Sequence, residues 1–382
     1  MARLSRRRFL ATVAGAGPGA LALASLPPWA SAALAEEAPG IIVRNDWPEH
    51  WETSLASLGR SWLTPNDVFF VRSHFTPPDV DLARWRLEIT GLVSTPLQLS
   101  LAELRTLPAV EAAITLECAG NGRGLYQLPN TSGTQWERGA VGTALWRGAL
   151  LRALLERAGV RSEARHVWFE AADEAPLPGV PHFVRSIPLE KAMDDVLLAH
   201  AMNGAALHRR HGAPLRAIVP GWYGMASAKW LTRIRVEAAA SDNHFMVKGY
   251  RYAYPGEDPL AAAPVESLRV KSLITRPLAG AAIPRGGVEV RGFAWAGRAG
   301  IRSVEVSADG GTSWRAARLT GDLHPGAWRS WQARLDAAVP GVLTLFARAT
   351  DGAGEVQPLA ARGNAGGYGN NSMHQVSVHV RA

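Results

Sequence analysis

Thr115-Leu116-Glu117-Cys118-Ala119-Gly120-Asn121-Gly122-Arg123-Gly124 holds the only cysteine of a 382-residue chain, where an apolar run gives way to a glycine-rich loop. Ile114-Thr115-Leu116 reads as the tail of a buried strand, and the glycines let main chain turn close to a bound group. Arg123, five residues past the sulfur, puts a fixed cation on the same loop. Two readings stand for Cys118: a thiolate that ligates a metal or attacks a substrate, or a small buried hydrophobe, which a free cysteine usually is. The surrounding sequence favours the first.

A chain of 382 residues exceeds what one core normally holds, so two domains are expected. With 47% hydrophobic and 19% charged residues and fourteen Trp, the chain is globular and deeply packed rather than disordered. No apolar run outside the leader is long enough to span a membrane. Residues 1–35 read as a twin-arginine export signal. Ser5-Arg6-Arg7-Arg8-Phe9-Leu10 precedes an apolar stretch from Ala11 to Leu26 and an A-x-A cleavage site at Ala33-Leu34-Ala35. The expected location is the periplasm, reached in a folded state, often with a cofactor already inserted. Taking the leader's four arginines from 41 basic residues leaves 37 against 33 acidic ones, which removes most of the case for nucleic-acid binding. A single cysteine excludes an internal disulfide.

Pro39 to Thr64 is expected to form an extended entry segment and a helix. Val68-Phe69-Phe70-Val71 reads as a short buried strand running into Arg72-Ser73-His74. Arg72 and His74 lie two apart, so an extended backbone turns both to one face, and together they mark a pocket. Trp85 to Ile89 alternates as a strand, and Ser100 with Glu103 forms a capping-box pattern opening a helix to Leu107. Thr143 to Ala158 carries Leu145, Trp146, Leu150, Leu151, Leu154 and Leu155 at helical spacing, and predicts one helix stopped by Gly159. His166 to Glu170 returns as a strand. Residues 36–254 thus read as a mixed α/β catalytic domain, making the chain α+β in class.

His208-Arg209-Arg210-His211-Gly212-Ala213-Pro214-Leu215-Arg216 precedes the apolar strand Ala217-Ile218-Val219-Pro220, with Lys229-Trp230-Leu231 beyond. Cations and glycines between apolar strands suit a phosphate-bearing cofactor. Lys229 reads equally as a strand-end charge. Neither a Walker A nor a G-x-G-x-x-G pattern is present, so a nucleotide is not indicated. After a linker at 255–265, residues 266–382 show short alternating strands, including 288–295, 304–307 and 342–347. Asp309-Gly310-Gly311 and Asp351-Gly352 supply turns, the pattern of a β-sandwich.

Leu116 to Arg123, Phe70 to His74, Met202-Asn203-Gly204 running on to Arg216, and Pro220-Gly221-Trp222 with Lys229-Trp230-Leu231 together resemble the sulfite oxidase family of molybdenum enzymes. They stand in the family's order across essentially the whole chain after the leader. The resemblance implies a molybdenum–molybdopterin cofactor with Cys118 as the metal ligand. Arg72, His74, Arg123 and Tyr250 would surround the metal and its oxyanion site, and His211, Arg216 and Lys229 would hold the pterin and its phosphate. It further implies oxidation of sulfite to sulfate and an immunoglobulin-like C-terminal domain that forms a homodimer. With no C-x-x-C-H and no segment for a b-type haem, electrons are expected to leave to a separate cytochrome c.

Two departures bear on the substrate. The family usually places an arginine near the oxyanion pocket at the position that is Gly366 here; Arg362 either reaches in instead or the site lacks that cation. Tyr252 and Tyr254 compete with Tyr250 for its role. The same fold and cofactor acting on protein-bound sulfane, or reducing a sulfoxide, are the alternatives. A metal-free binding protein with a buried Cys118 is the reading from another class. A cysteine hydrolase is disfavoured because His74 has no evident Asp or Asn to orient it.

Overall fold

The computed structural model describes residues 40–126, 131–175 and 177–382. The expected export signal at 1–35 lies outside the described residues. Three sheets make up the first part. Ile41–Asn45, His50–Thr53 and Val71–Arg72 form an antiparallel three-stranded sheet at the entry. The helix expected there is one turn, Leu55–Leu58, capped by Ser54.

A second sheet pairs Ala109–Glu117 with Val141–Leu150 along their whole length, and continues through Leu197–Met202 to Ala205–Ala206 and Arg216–Ile218. A third runs Leu97–Leu99, Leu87–Gly91, Leu231–Glu237, His166–Ala171, Val184–Pro188, its Leu87–Gly91 and Leu231–Glu237 pair being parallel. The Ser100 and Glu103 capping box closes on the helix Leu101–Thr106: Glu103 N–H donates to Ser100 Oγ (3.2 Å) and Ser100 N–H to Glu103 Oε2 (2.8 Å).

The helix expected over 143–158 is corrected. Its first half is the strand Val141–Leu150, and only Leu151–Ala158 is helical, ending on Gly159 in the left-handed conformation. That strand lies between two neighbours, and both faces are covered. Val141 to Ala144 and Trp146 are all buried, so no alternation marks it as a strand.

The C-terminal part is a two-layer β-sandwich of eight strands in the order Lys271–Arg276, Gly286–Trp295, Arg329–Ala337, Arg315–Thr320, Ile301–Ser307, Gly341–Asp351, His374–Val380, Ala282–Ile283. Arg315–Thr320 joins the layers, pairing through its first half with Ile301–Ser307 and through its second with Arg329–Ala337. The two parts share a core. Leu58, Val141, Tyr223 and Tyr250 pack in one cluster with Leu273, Phe293, Trp295 and Trp328, and the Phe293 and Trp328 rings stack with centroids 4.2 Å apart. Among the described residues no helix is long and apolar enough to cross a membrane.

Candidate active site

Cys118 follows directly on the strand Ala109–Glu117, where its N–H donates to Ala140 O (2.9 Å) and its carbonyl accepts from Asn121 N–H (2.9 Å). Its side chain is shielded from bulk solvent but presents surface to a cavity between the sheets. Burial pushes the thiol's pKa up, and the charges of Arg72 and Arg123 oppose that. Arg72, His74, His211, Arg216, Lys229 and Tyr250 line the same cavity.

Arg72 and His74 alternate with buried Val71, Ser73 and Phe75, so both keep surface on the cavity. Arg72 Nη1 is buried with no hydrogen-bond partner among the described residues. His74 Nε2 lies 2.9 Å from the Tyr250 hydroxyl, and its ring stacks on Phe183 at 4.1 Å and meets Phe245 edge-on at 4.7 Å. Burial first, then the charges of Arg72 and Lys229, hold His74 well below its usual range, so it is neutral at neutral pH. Burial pushes Tyr250 up to about 12, leaving its phenol a hydrogen-bond donor. Tyr250 also adopts a φ of 55°, a backbone region rare for a large side chain and concentrated at functional sites.

Deeper in, Arg216 is fully buried and donates from Nη1 to His211 O (2.8 Å) and from Nη2 to Ser227 O (3.2 Å), with its guanidinium over Trp146 at 4.9 Å. Burial brings it down to about 9, still charged at neutral pH. His211 Nε2 lies 3.1 Å from Asn66 O, and burial with the Arg216 charge lowers it to about 3. Lys229 is not a surface strand-end charge: its Nζ is buried, donating to Ser73 Oγ (2.8 Å) and Arg210 O (3.0 Å). Asp173, also buried on this cavity, has its carboxyl raised by burial, against the pull of Lys229.

Arg123 is placed differently from the others. It is buried outside the cavity lining, with Nε donating to Gly366 O (2.9 Å), Nη1 to Thr134 O (3.1 Å), and the guanidinium 5.2 Å from the Tyr368 ring centroid. Arg362 is 63% exposed, 3.7 Å from Glu257 and over the Tyr254 ring, so it does not enter the pocket. Gly366 has no room for a side chain while Tyr368 keeps its place, because a Cβ there would run into the Tyr368 ring. Tyr252 and Tyr254 face Arg269, 4.1 Å from a ring centroid and 2.9 Å from a hydroxyl respectively, and only Tyr250 of the three lines the cavity.

Comparison with known proteins agrees with this geometry. Residues 74–245 match the family model for the oxidoreductase molybdopterin binding domain, and residues 262–381 that for the Mo-co oxidoreductase dimerisation domain. The sulfite oxidase of Arabidopsis thaliana is 34% identical over 375 residues, covering 90% of this chain and 94% of that protein. The chain belongs to the sulfite oxidase family. The mitochondrial sulfite oxidase of Rattus norvegicus is 38% identical over 365 residues, covering 90% of this chain. This chain spans 66% of that relative's length. The crystal structure of the sulfane dehydrogenase SoxCD from Paracoccus pantotrophus superimposes with a TM-score of 0.79 at 29% identity, over 95% of this chain and 92% of that one.

The cavity fits the molybdopterin that defines this sulfite oxidase fold. Arg72, Arg216 and Lys229 take part in none of the ion pairs among the described residues. Buried cations left so need an anionic ligand, which a pterin phosphate provides. No three His, Cys, Asp or Glu side chains gather among the described residues to hold a metal by themselves, so a thiol as sole protein ligand suits a metal whose other ligands come with a cofactor.

Sequence reasoning passed over Asp173, Phe183 and Arg185. Asp173 stands in a loop of mixed polarity with no pattern to mark it. Arg185 in Val184-Arg185-Ser186-Ile187 reads as an ordinary strand charge. The signal was its place two residues before the buried Ile187 on the same strand, hence on the same face, with no acidic residue adjacent in sequence.

Proposed function

We propose that this chain oxidises sulfite to sulfate as a periplasmic sulfite dehydrogenase of the sulfite oxidase family, using molybdenum–molybdopterin and passing electrons to a cytochrome c. The observation that carries this reading is the unpartnered guanidinium of Arg72, set in one cavity with the Cys118 thiol and the Tyr250–His74 pair. Sulfite and water give sulfate, two protons and two electrons. When bound, the cofactor supplies the oxygen exchange and the two-electron store.

This chain's residues supply the rest. Cys118 holds the metal as thiolate, and Arg72 favours that ionised form. Arg216, Lys229 and His211 pair with the pterin and its phosphate. Arg72 draws the anion and orients its oxygens through the free Nη1, leaving the sulfur turned inward. The Tyr250 phenol donates a hydrogen bond to the anion or to the water consumed, and neutral His74 fixes the phenol from behind. The Phe183 and Phe245 rings packed on His74 shield that hydrogen bond from water. The dimerisation family model supports a homodimer formed through the β-sandwich.

Sulfite-dependent reduction of cytochrome c under anaerobic conditions tests the reading, on exported protein shown to carry about one molybdenum per chain. Turnover is the expected result. A metal-loaded protein that does not oxidise sulfite overturns it. A second reading, oxidation of sulfane sulfur carried on a partner, is favoured by one observation. Arg362 points outward and Gly366 stands where the resemblance implies a pocket arginine, and a less charged substrate needs fewer cations.

A further inference from the structure

The molecule buries a cation beside the pocket that the reading above does not use. Arg185 lies in the strand Val184–Pro188 and is 3% exposed. Its guanidinium carbon sits 5.2 Å from the Tyr250 ring centroid. One N–H donates to Phe245 O, while Nε has no partner among the described residues. No carboxylate forms an ion pair with it among the described residues, and half-buried Glu266 acts on it by charge alone. Burial brings it down to about 10, so it is charged at neutral pH.

A strut to Phe245 O needs only a neutral donor. An unpaired guanidinium in the interior is strongly unfavourable unless anions offset it; the Glu266 charge is one, and the pocket in front of Tyr250 is built for another. Phe183, two residues before Arg185 and just ahead of its strand, lines that pocket and stacks on His74, so one short segment delivers both a wall and a charge. Low dielectric between them lets the charge act across the ring.

We propose that Arg185 is a second cation acting on the substrate pocket, from behind Tyr250, and that it selects an anionic sulfur substrate. Arg185 is a specificity-determining and positioning residue, since it reaches the anion through the Tyr250 phenol. The inference rests on the reading of the cavity as an oxyanion site.

Sulfate, as a non-reacting oxyanion, is the probe. Its dissociation constant is measured by calorimetry on the holoprotein for the parent, Arg185→Met and Arg185→Lys, beside sulfite KM, kcat and molybdenum content. Arg185→Met is expected to weaken sulfate binding and raise sulfite KM about tenfold, the effect of one charge across a protein interior, with a smaller change in kcat and unchanged molybdenum. Arg185→Lys, which keeps the charge, recovers most of the lost affinity. If Arg185→Met does not fold, Arg185→Gln keeps a donor for Phe245 O and removes only the charge. Unchanged sulfate affinity in the neutral variant, or equal loss in the Lys variant, overturns the proposal and makes Arg185 a strut. The two readings fail separately. A parent that binds sulfate through Arg185 but does not oxidise sulfite sinks only the sulfite function, and a parent that oxidises sulfite with sulfate affinity indifferent to Arg185 sinks only this inference.

Discussion

Arg72 and Arg123 flank the same cysteine and use their hydrogen bonds in opposite ways. Arg123 gives Nε and Nη1 to the carbonyls of Gly366 and Thr134 and lies against Tyr368, so it ties the cysteine loop to the C-terminal part. Arg72 leaves a buried N–H free toward the cavity. Removing a side chain that satisfies half-buried carbonyls costs up to about 1–3 kcal/mol for each group left unmet, whereas removing an unpartnered buried charge costs little or stabilises. Arg123→Met is therefore expected to lower the urea midpoint and with it molybdenum retention. Arg72→Met should leave the midpoint unchanged or raised and increase sulfite KM about tenfold or more. Urea titration of each variant, with steady-state kinetics alongside, checks the ranking, and a destabilised Arg72→Met beside an unaffected Arg123→Met would reverse these roles.

The strand Ala109–Glu117, paired along its length with Val141–Leu150, and the loop after it are also held from the other end of the chain. Thr115 N–H donates to Gly326 O (2.9 Å), Trp328 N–H to Thr115 Oγ1 (2.7 Å), Gly369 N–H to Ala119 O (2.8 Å), and Asn370 Nδ2 to Gly122 O (2.8 Å). Gly122 has a φ of 88° and packs directly on Asn370, so the turn and its anchor require glycine there. Glu117, one residue before the cysteine, is wholly buried and accepts from Asn121 Nδ2 (2.9 Å), Lys271 Nζ (2.5 Å) and Trp295 Nε1 (2.8 Å), the last two from the β-sandwich. Lys271→Met removes the one opposite charge and should cost about 3–5 kcal/mol, and adding Glu117→Gln should recover much of it. A double-mutant cycle by urea unfolding measures this, and additive losses would show that the two side chains do not act as a pair. The sequence showed where this loop was and that a group bound beside it, because glycines, a lone thiol and nearby cations are local features. It did not show the partners, 154 and 178 residues away for Lys271 and Trp295, since nothing in Val270-Lys271-Ser272 marks a lysine that will be buried. The strand Val141–Leu150 was misread for a related reason. Covered on both faces, it lacks the alternation of a half-exposed strand, and its Leu145, Trp146 and Leu150 run on at helical spacing into the helix Leu151–Ala158.

At the scale of the molecule, both parts rely on histidines buried in the neutral form. His50 donates from Nε2 to Ser73 O (2.9 Å) and accepts at Nδ1 from Thr134 Oγ1 (2.6 Å), and burial lowers it to about 4. His374 stands in the sandwich, its Nδ1 accepting from Ile274 N–H (3.0 Å), and burial followed by the Arg138 charge holds it well below its usual range. Above pH about 6.5 such a histidine is neutral folded and unfolded alike and contributes no pH dependence. Below it the unfolded chain takes up a proton that the folded protein refuses, so the unfolded state binds more protons and stability falls as pH falls. Each such group costs about 1.4 kcal/mol per pH unit until its folded pKa is reached. His374 is the cleanest place to see this, far in sequence from the cysteine loop and with a contact that a glutamine Oε1 can also accept. Because Leu273 of the strand bearing Ile274 belongs to the core shared by both parts, a change there is read out by the whole transition. His374→Gln should lose less stability between pH 7 and pH 5 than the parent, by about 2 kcal/mol, when urea midpoints are compared at the two values. Equal losses would mean that His374 is charged in the folded protein, which its accepting bond from Ile274 N–H forbids at Nδ1.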